Sequence, residues 1–233
     1  MIIIEFCCGS KSFTKEAELR GHECFTLDFD KKFNPNLCMD ILNFEIDMLP
    51  EKFRSPDGIW FSPPCTKYSH ANRKGKPDLT ISNKVVQKCL SLIKQFQEIN
   101  PKIVWVIENP QTGTLKKQEF MLNIPFTDAS YCKYGLPYRK QTRFWNNIEL
   151  KLNTCNKDCQ FMDGKKHIMS VGNGRSKYTK ELKYSWDKKL KYKVPIILCQ
   201  DIIKQMEVKS GCNANDNGIP PNNKLLGILP TIL

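Results

Sequence analysis

Cys65 follows Ser62-Pro63-Pro64, and a thiol in that setting is placed for nucleophilic work. Proline fixes its own φ and removes a backbone donor, and each residue ahead of a proline is pushed out of the helical region. The turn is therefore stiff, and the backbone rather than a mobile loop aims the thiol. It follows the apolar run Gly58-Ile59-Trp60-Phe61, which reads as a buried strand. The competing reading is a proline-rich loop with an incidental cysteine. Other strand ends carry polar groups as well. Phe6-Cys7-Cys8-Gly9-Ser10 is a tight turn whose glycine lets a ligand approach the backbone at a helix N-terminus. Asp28 stands about 20 residues further on, where a carboxylate grips a ribose hydroxyl pair. Asp40 ends a third strand, placed to accept from an adenine amino group, and Glu108 ends a fifth. Any one of these reads as an ordinary cap or turn residue. All five in that order are hard to explain structurally.

The elements that must position them alternate. Strands are expected at 2–7, 23–28, up to Asp40, 58–61 and 103–107. A helical stretch over 10–20 stops at Gly21, and an amphipathic helix spans Thr80–Ile99. This is the pattern of a doubly wound, mostly parallel α/β sheet, in which ligands bind beyond the carboxyl ends of the strands. Two further β segments, 126–134 and 141–150, flank a Gly/Pro turn at Gly135-Leu136-Pro137. A poorly patterned stretch over 151–191 follows, then a helix over 194–207 and a Gly/Asn/Pro tail.

Composition limits the partners. The 233 residues suffice for one large domain with a small appendage. The eleven cysteines are odd in number and scattered through apolar runs, which points to reduced thiols rather than a disulfide framework. Met1–Phe6 reads as a strand rather than a leader, and no apolar run approaches the roughly 20 residues of a membrane span. A soluble intracellular protein with no membrane partner is expected. The net charge is +12, and residues 133–193 hold 16 Lys/Arg against 5 Asp/Glu. Tyr134, Tyr138, Phe144, Trp145, Tyr178, Tyr184, Trp186 and Tyr192 interleave with that charge. A basic, aromatic-studded segment is the footprint of a nucleic-acid surface, set against a merely solvated lysine-rich exterior.

With these motifs in view, the chain resembles the C5-cytosine DNA methyltransferases, particularly the compact enzymes of phages and large DNA viruses. Pro63-Pro64-Cys65 matches the family's nucleophile motif, and Glu108-Asn109-Pro110 resembles its Glu-Asn-Val with proline in the last place. Gln141-Thr142-Arg143 matches the start of its Gln-x-Arg-x-Arg, with Trp145 where the second arginine stands. The turn at 6–10 resembles its cofactor loop without the second glycine. The likeness covers residues 2 to about 147, resumes near 192–203, and lacks the family's late Arg/Glu-rich motif.

The resemblance implies an S-adenosylmethionine-dependent, Rossmann-like catalytic domain over 1–149. It also implies a small basic target-recognition region over 150–190, and a C-terminal helix and tail over 191–233 that return to the catalytic domain. Cys65, Glu108 and Arg143 would be catalytic. The cofactor would be held by Phe6, Cys8, Gly9 and Ser10, by Asp28 and Phe29, and by Asp40, Ile41 and Pro63. The substrate would be duplex DNA with its cytosine flipped out, and a monomer is expected. Restriction-modification, genome marking and evasion of host defence are roles that fit, in the cytoplasm or, for a viral enzyme, the host nucleus or viral factory. An RNA cytosine methyltransferase and a catalytically lapsed DNA-binding protein are the alternatives. Enzymes that methylate exocyclic amines place an aromatic residue after Pro-Pro, where this chain has Cys65.

Two segments stand outside that pattern. Cys155, Cys159 and His167 have the residue types of part of a zinc site at a looser spacing than an ordinary knuckle; a fourth ligand is not evident in the sequence, although Cys132 could reach it. The competing reading is two incidental thiols and a surface histidine. The linker 67–78 carries Tyr68, His70, Asn72, Arg73 and Lys74, and reads as a mobile loop that closes on DNA or one that is merely solvated.

Overall fold

Segments of four to seven residues, apolar in β1 and β4 and mixed toward the antiparallel edge, become the strands of a single sheet: β1 (Ile2–Phe6), β2 (Glu23–Asp28), β3 (Leu37–Cys38), β4 (Gly58–Phe61), β5 (Val104–Pro110), β6 (Phe126–Ser130) and β7 (Gln141–Asn146), the two-residue β3 being the exception in length. The computed structural model describes residues 1–69, 77–171 and 192–212. Among these residues the sheet order is β3-β2-β1-β4-β5-β7-β6. The first five strands are parallel, and β7 runs antiparallel to both β5 and β6. The direction of winding reverses between β1 and β4. In an open α/β sheet that reversal opens a crevice at the carboxyl ends, which is where ligands bind.

Side chains alternate across the sheet, so each face has its own core. One face carries Ile4, Phe6, Ile59, Phe61 and Ile107 against Leu92 and Phe96 of α2 (Thr80–Ile99). Phe6 stacks on Phe61 at 4.8 Å and meets Phe44 edge-on at 5.1 Å. The other face carries Ile3, Trp60, Val104 and Val106 against α1 (Ser12–Leu19) and α3 (Ile196–Ser210). Phe13 of α1 stacks on Trp60 at 4.3 Å. The two helices are tied by Arg20, which donates to both carboxylate oxygens of Glu207 at 2.9 and 2.6 Å, and by His22 Nε2, 2.7 Å from Glu207 Oε1. No helix among the described residues is long and apolar enough to cross a membrane.

The fold corrects several sequence expectations. The fifth strand runs through Glu108-Asn109-Pro110, because β7 pairs with it to the end of that motif. The third strand stops at Cys38, and Asp40 instead caps a 3-10 turn (Ile41–Asn43) by accepting from Leu42 N. The segment after β6 is a 3-10 turn (Tyr131–Tyr134) rather than strand. Tyr134, Tyr138, Phe144 and Trp145 are buried in the core, so they present no aromatic surface to a nucleic acid. Their alternation with charge reflects β7 and its neighbours packing against helices on both faces. Tyr192 is exposed. Tyr178, Tyr184 and Trp186 lie outside the described residues.

Candidate active site

The turn 62–65 leaves β4 at the crevice and is held at three points. Ser62 N donates to Phe6 O of β1 at 3.1 Å, and Ser62 Oγ accepts from Trp60 Nε1 at 2.8 Å. Asn109 Nδ2 donates to Pro63 O at 2.9 Å, with Asn109 wholly buried. The Glu-Asn-Pro motif of β5 therefore clamps the Pro-Pro-Cys turn of β4. Beyond it, the Cys65 carbonyl accepts from the amides of Tyr68 and Ser69 at 3.1 and 3.0 Å, opening a helical turn. Tyr68 is buried and donates to Asn83 Oδ1 of α2 at 2.8 Å, so this residue is an anchor rather than part of a closing loop. His70, Asn72, Arg73 and Lys74 lie outside the described residues.

Cys65 is partly exposed at the end of this clamped turn. Many of the other thiols are disarmed by their surroundings. Burial pushes Cys8 and Cys24 up to about 12, and raises Cys7, Cys89 and Cys199 well above the ordinary thiol range. A thiol reacts as its thiolate, so these sites are inert.

Glu108 is buried on β5, and burial pushes its carboxyl above the usual range while Lys140 and Tyr131 pull it down. Tyr131 Oη donates to Glu108 Oε1 across a long 3.5 Å, and Lys140 Nζ lies 3.4 Å from that hydroxyl. A desolvated carboxyl of this kind keeps its proton to higher pH and can donate it in a hydrogen bond.

Arg143 pairs across β5 and β7 with Asn109, while Phe144 pairs with Glu108. Directly opposite residues share a face, so Arg143 lies on the Asn109 face and Glu108 on the other. Its guanidinium donates to both oxygens of Asp128 at 2.7 and 2.9 Å and sits 3.4 Å over the Phe126 ring. Its charge is thereby fixed in place on the sheet.

At the end of β1 the chain turns through left-handed backbone at Cys7 (φ 54°), Gly9 (φ 47°) and Lys11 (φ 54°). The ideal Cβ position at Gly9 has no atom within 4 Å, which leaves a cradle against the backbone. Asp28 is buried beneath it, its Oδ2 accepting from Gly9 N and its Oδ1 from Asp30 N, both at 2.9 Å. The carboxylate thus shapes the turn with two of its roughly four acceptor positions. Phe29 beside it is 69% exposed, an aromatic face left open at the crevice. Asp40 is exposed and Ile41 buried. Phe6 and Pro63 are buried, Cys8 is buried, and Ser10 Oγ lies 2.9 Å from Ser12 Oγ. This open cradle, exposed ring and exposed carboxylate suit a nucleoside-bearing cofactor.

Cys132, Cys155, Cys159 and His167 come together, their ligand atoms all within 4.8 Å of one another. Asn109 and Tyr131, which hold the turn and touch the acid, had no signal of their own in the sequence. Asn109 was legible only as the neighbour of Glu108. Glu5, buried under α1 and bonded to Thr14, was likewise hidden inside an apolar run.

Comparison with known proteins adds to this geometry. No protein-family model matches the chain. A protein of Frog virus 3 described as a probable DNA (cytosine-5)-methyltransferase is 30% identical, over 79% of this chain and 94% of that protein. The methyltransferase EhMeth of Entamoeba histolytica has a similar fold, with a TM-score of 0.52 and 11% identity, over 89% of this chain and 98% of that one. The S. pombe Dnmt2 methyltransferase is a weaker structural match, at a TM-score of 0.42 and 15% identity over 63% of this chain and 50% of that one.

Proposed function

The chain belongs to the DNA (cytosine-5)-methyltransferase family, and on that footing we propose that it methylates C5 of a flipped-out cytosine in DNA through a covalent bond from Cys65 to C6. The observation that carries this reading is the bond from Asn109 to Pro63 O, which locks the nucleophile turn to the strand bearing Glu108. Cytosine C5 is a poor nucleophile. Addition of the Cys65 thiolate to C6 turns the ring into an enamine, whose C5 then accepts a methyl cation equivalent. Protonated Glu108 would bond N3 and offset the charge that addition places on the ring. Its burial favours that protonated form. Transfer of the C5 proton to water and expulsion of the Cys65 sulfur as thiolate complete the cycle. Arg143 supports the site from the opposite face, through its fixed pair with Asp128.

S-adenosylmethionine supplies the electrophilic methyl group when bound. Gly9 leaves the backbone open to it, Phe29 offers a ring for the adenine, and Asp40 an acceptor for its amino group. The Asp28 carboxylate keeps acceptor positions for the ribose hydroxyls.

Because the target carbon is buried in a duplex, flipping costs a few kcal/mol, and the basic segment is suited to offset it through phosphate contacts. Transfer of label from methyl-labelled S-adenosylmethionine to duplex DNA, with RNA in parallel, tests this. Label at C5 of deoxycytidine is expected. Label in RNA alone, or none in either, contradicts the proposal.

A further inference from the structure

We propose that Cys132, Cys155, Cys159 and His167 bind one structural zinc ion that fastens the basic insert to the catalytic sheet. The four residues come from three separate pieces of chain. Cys132 lies in the 3-10 turn just after β6, Cys155 and Cys159 in the loop that follows β7, and His167 in a small hairpin, β8 (Met162–Asp163) with β9 (Lys166–His167). Tetrahedral zinc, at about 2.3 Å from sulfur and about 2.0 Å from nitrogen, places its ligand atoms roughly 3.5–3.8 Å apart. Here all four lie within 4.8 Å of one another, and Cys155 Sγ is 3.4 Å from His167 Nε2. None of the three sulfurs is in a disulfide.

The surrounding backbone is built to hold this arrangement. Cys155 N donates to Ser130 Oγ, and Ser130 N to Asn153 O, each at 3.0 Å. Lys157 takes left-handed backbone (φ 67°), which bends the Cys155–Cys159 loop so that both thiols face inward. Asp158 caps the bend by accepting from Asn156 N and pairs with Lys133, the neighbour of Cys132.

The segment has almost no apolar core of its own. Between residues 151 and 171 only Cys155 and Met169 are buried. Its two strands have two residues each, too short to stand alone in water. Small units without a core of their own are held by staples such as a metal. The clasp adjoins the active site, since Cys132 follows Tyr131, whose hydroxyl reaches Glu108. A role in presenting the insert to DNA rests on the methyltransferase reading above, whereas the metal site itself does not.

The test begins with the zinc content of the chain purified without chelator, followed by titration of the metal-free chain with cobalt(II) alone. About one zinc per chain is expected, with the visible and thiolate-to-metal bands of a tetrahedral cobalt site of three sulfurs and one nitrogen. Cys155→Ser should lose the metal. His167→Cys should keep it and move the cobalt bands toward a four-sulfur pattern, which guards against a variant that merely misfolds. Cys38→Ser, at an exposed thiol far from the cluster in sequence, should retain wild-type content. Chelation should raise amide exchange over 151–171 and leave β1, β4 and β5 protected. Less than a tenth of an equivalent of zinc together with no tetrahedral cobalt spectrum overturns the proposal. A disulfide among the three cysteines in the intact mass does the same.

Discussion

Asn109→Asp isolates the clamp on the turn before Cys65, since it keeps the shape of the side chain and exchanges the amide NH2 for an oxygen. Asn109 is wholly buried, and its Nδ2 donates to the carbonyl of buried Pro63 at 2.9 Å. With its carboxylate ionised, the variant would lose that bond and set two acceptors face to face. Nothing on the far side compensates, because Asn109 Oδ1 has no partner among the described residues. Leaving a buried acceptor unsatisfied costs about 1–3 kcal/mol, with the upper end apt for two opposed oxygens. For a chain of this length about 3 kcal/mol lowers Tm by roughly 6–12 °C. Pro63 lies two residues before Cys65, so its displacement also misdirects the thiol, and a misplacement of about 1 Å costs on the order of 100-fold in rate. Cofactor affinity should fall less than the transfer rate: Pro63 is among the expected cofactor residues, but the turn at Gly9 is held by Asp28 and not by this bond. Calorimetric melting, single-turnover methyl transfer and cofactor titration read the three quantities separately. A variant with wild-type Tm and wild-type transfer rate would refute the clamp.

Two further predictions concern residues away from the thiol. Burial pushes the Glu5 carboxyl up to about 7 from 4.5, against two bonds from Thr14. The folded state therefore holds this proton to higher pH than the unfolded chain, so stability falls as pH rises from about 4.5 to about 7, by about 3 kcal/mol, and is level above that. Glu5→Gln should remove this slope and melt higher than wild type at pH 8 but not at pH 4; parallel melting curves across that range would contradict it. Phe29→Ala should leave Tm within error, the ring being 69% exposed, and weaken cofactor binding. Loss of one stacking ring costs about 1–3 kcal/mol, or roughly 5- to 150-fold in Kd, and an unchanged Kd by titration calorimetry would remove Phe29 from the site.

The parallel half of the fold was legible because its strands are short apolar runs closed by Gly, Asp or Pro, and α2 because its apolar residues recur at helical spacing. At the antiparallel end the two β segments were legible, but their extent and their pairing with the fifth strand were not. Glu108-Asn109-Pro110 looks like a strand terminus, and only its pairing with β7 keeps it in the sheet. Tyr134, Tyr138, Phe144 and Trp145 sit amid lysines and read as a surface, yet all four are buried: Phe144 and Trp145 on a strand packed on both faces, Tyr134 and Tyr138 in the connection ahead of it. Tyr68 was misread for a similar reason, since its partner Asn83 is 15 residues away on α2. At the candidate site the residue types were visible but their relations were not. The bond from Asn109 to Pro63 and the placing of Arg143 across from Asn109, on the face away from Glu108, both depend on strand register, which no single motif encodes. The fourth member of the Cys/His cluster likewise comes from a turn more than 20 residues before the others.

The central claim is that Cys65 attacks the base, and the most direct measurement is a covalent trap. The chain is incubated with S-adenosylmethionine and duplex DNA carrying 5-fluorocytosine, then denatured and resolved by mass. Fluorine cannot leave as a proton does, so methyl transfer should strand the protein on the DNA. The account predicts an adduct that requires the cofactor, maps by peptide mass to Cys65 and disappears in Cys65→Ser. An adduct on another residue, or one undiminished in Cys65→Ser, would contradict it.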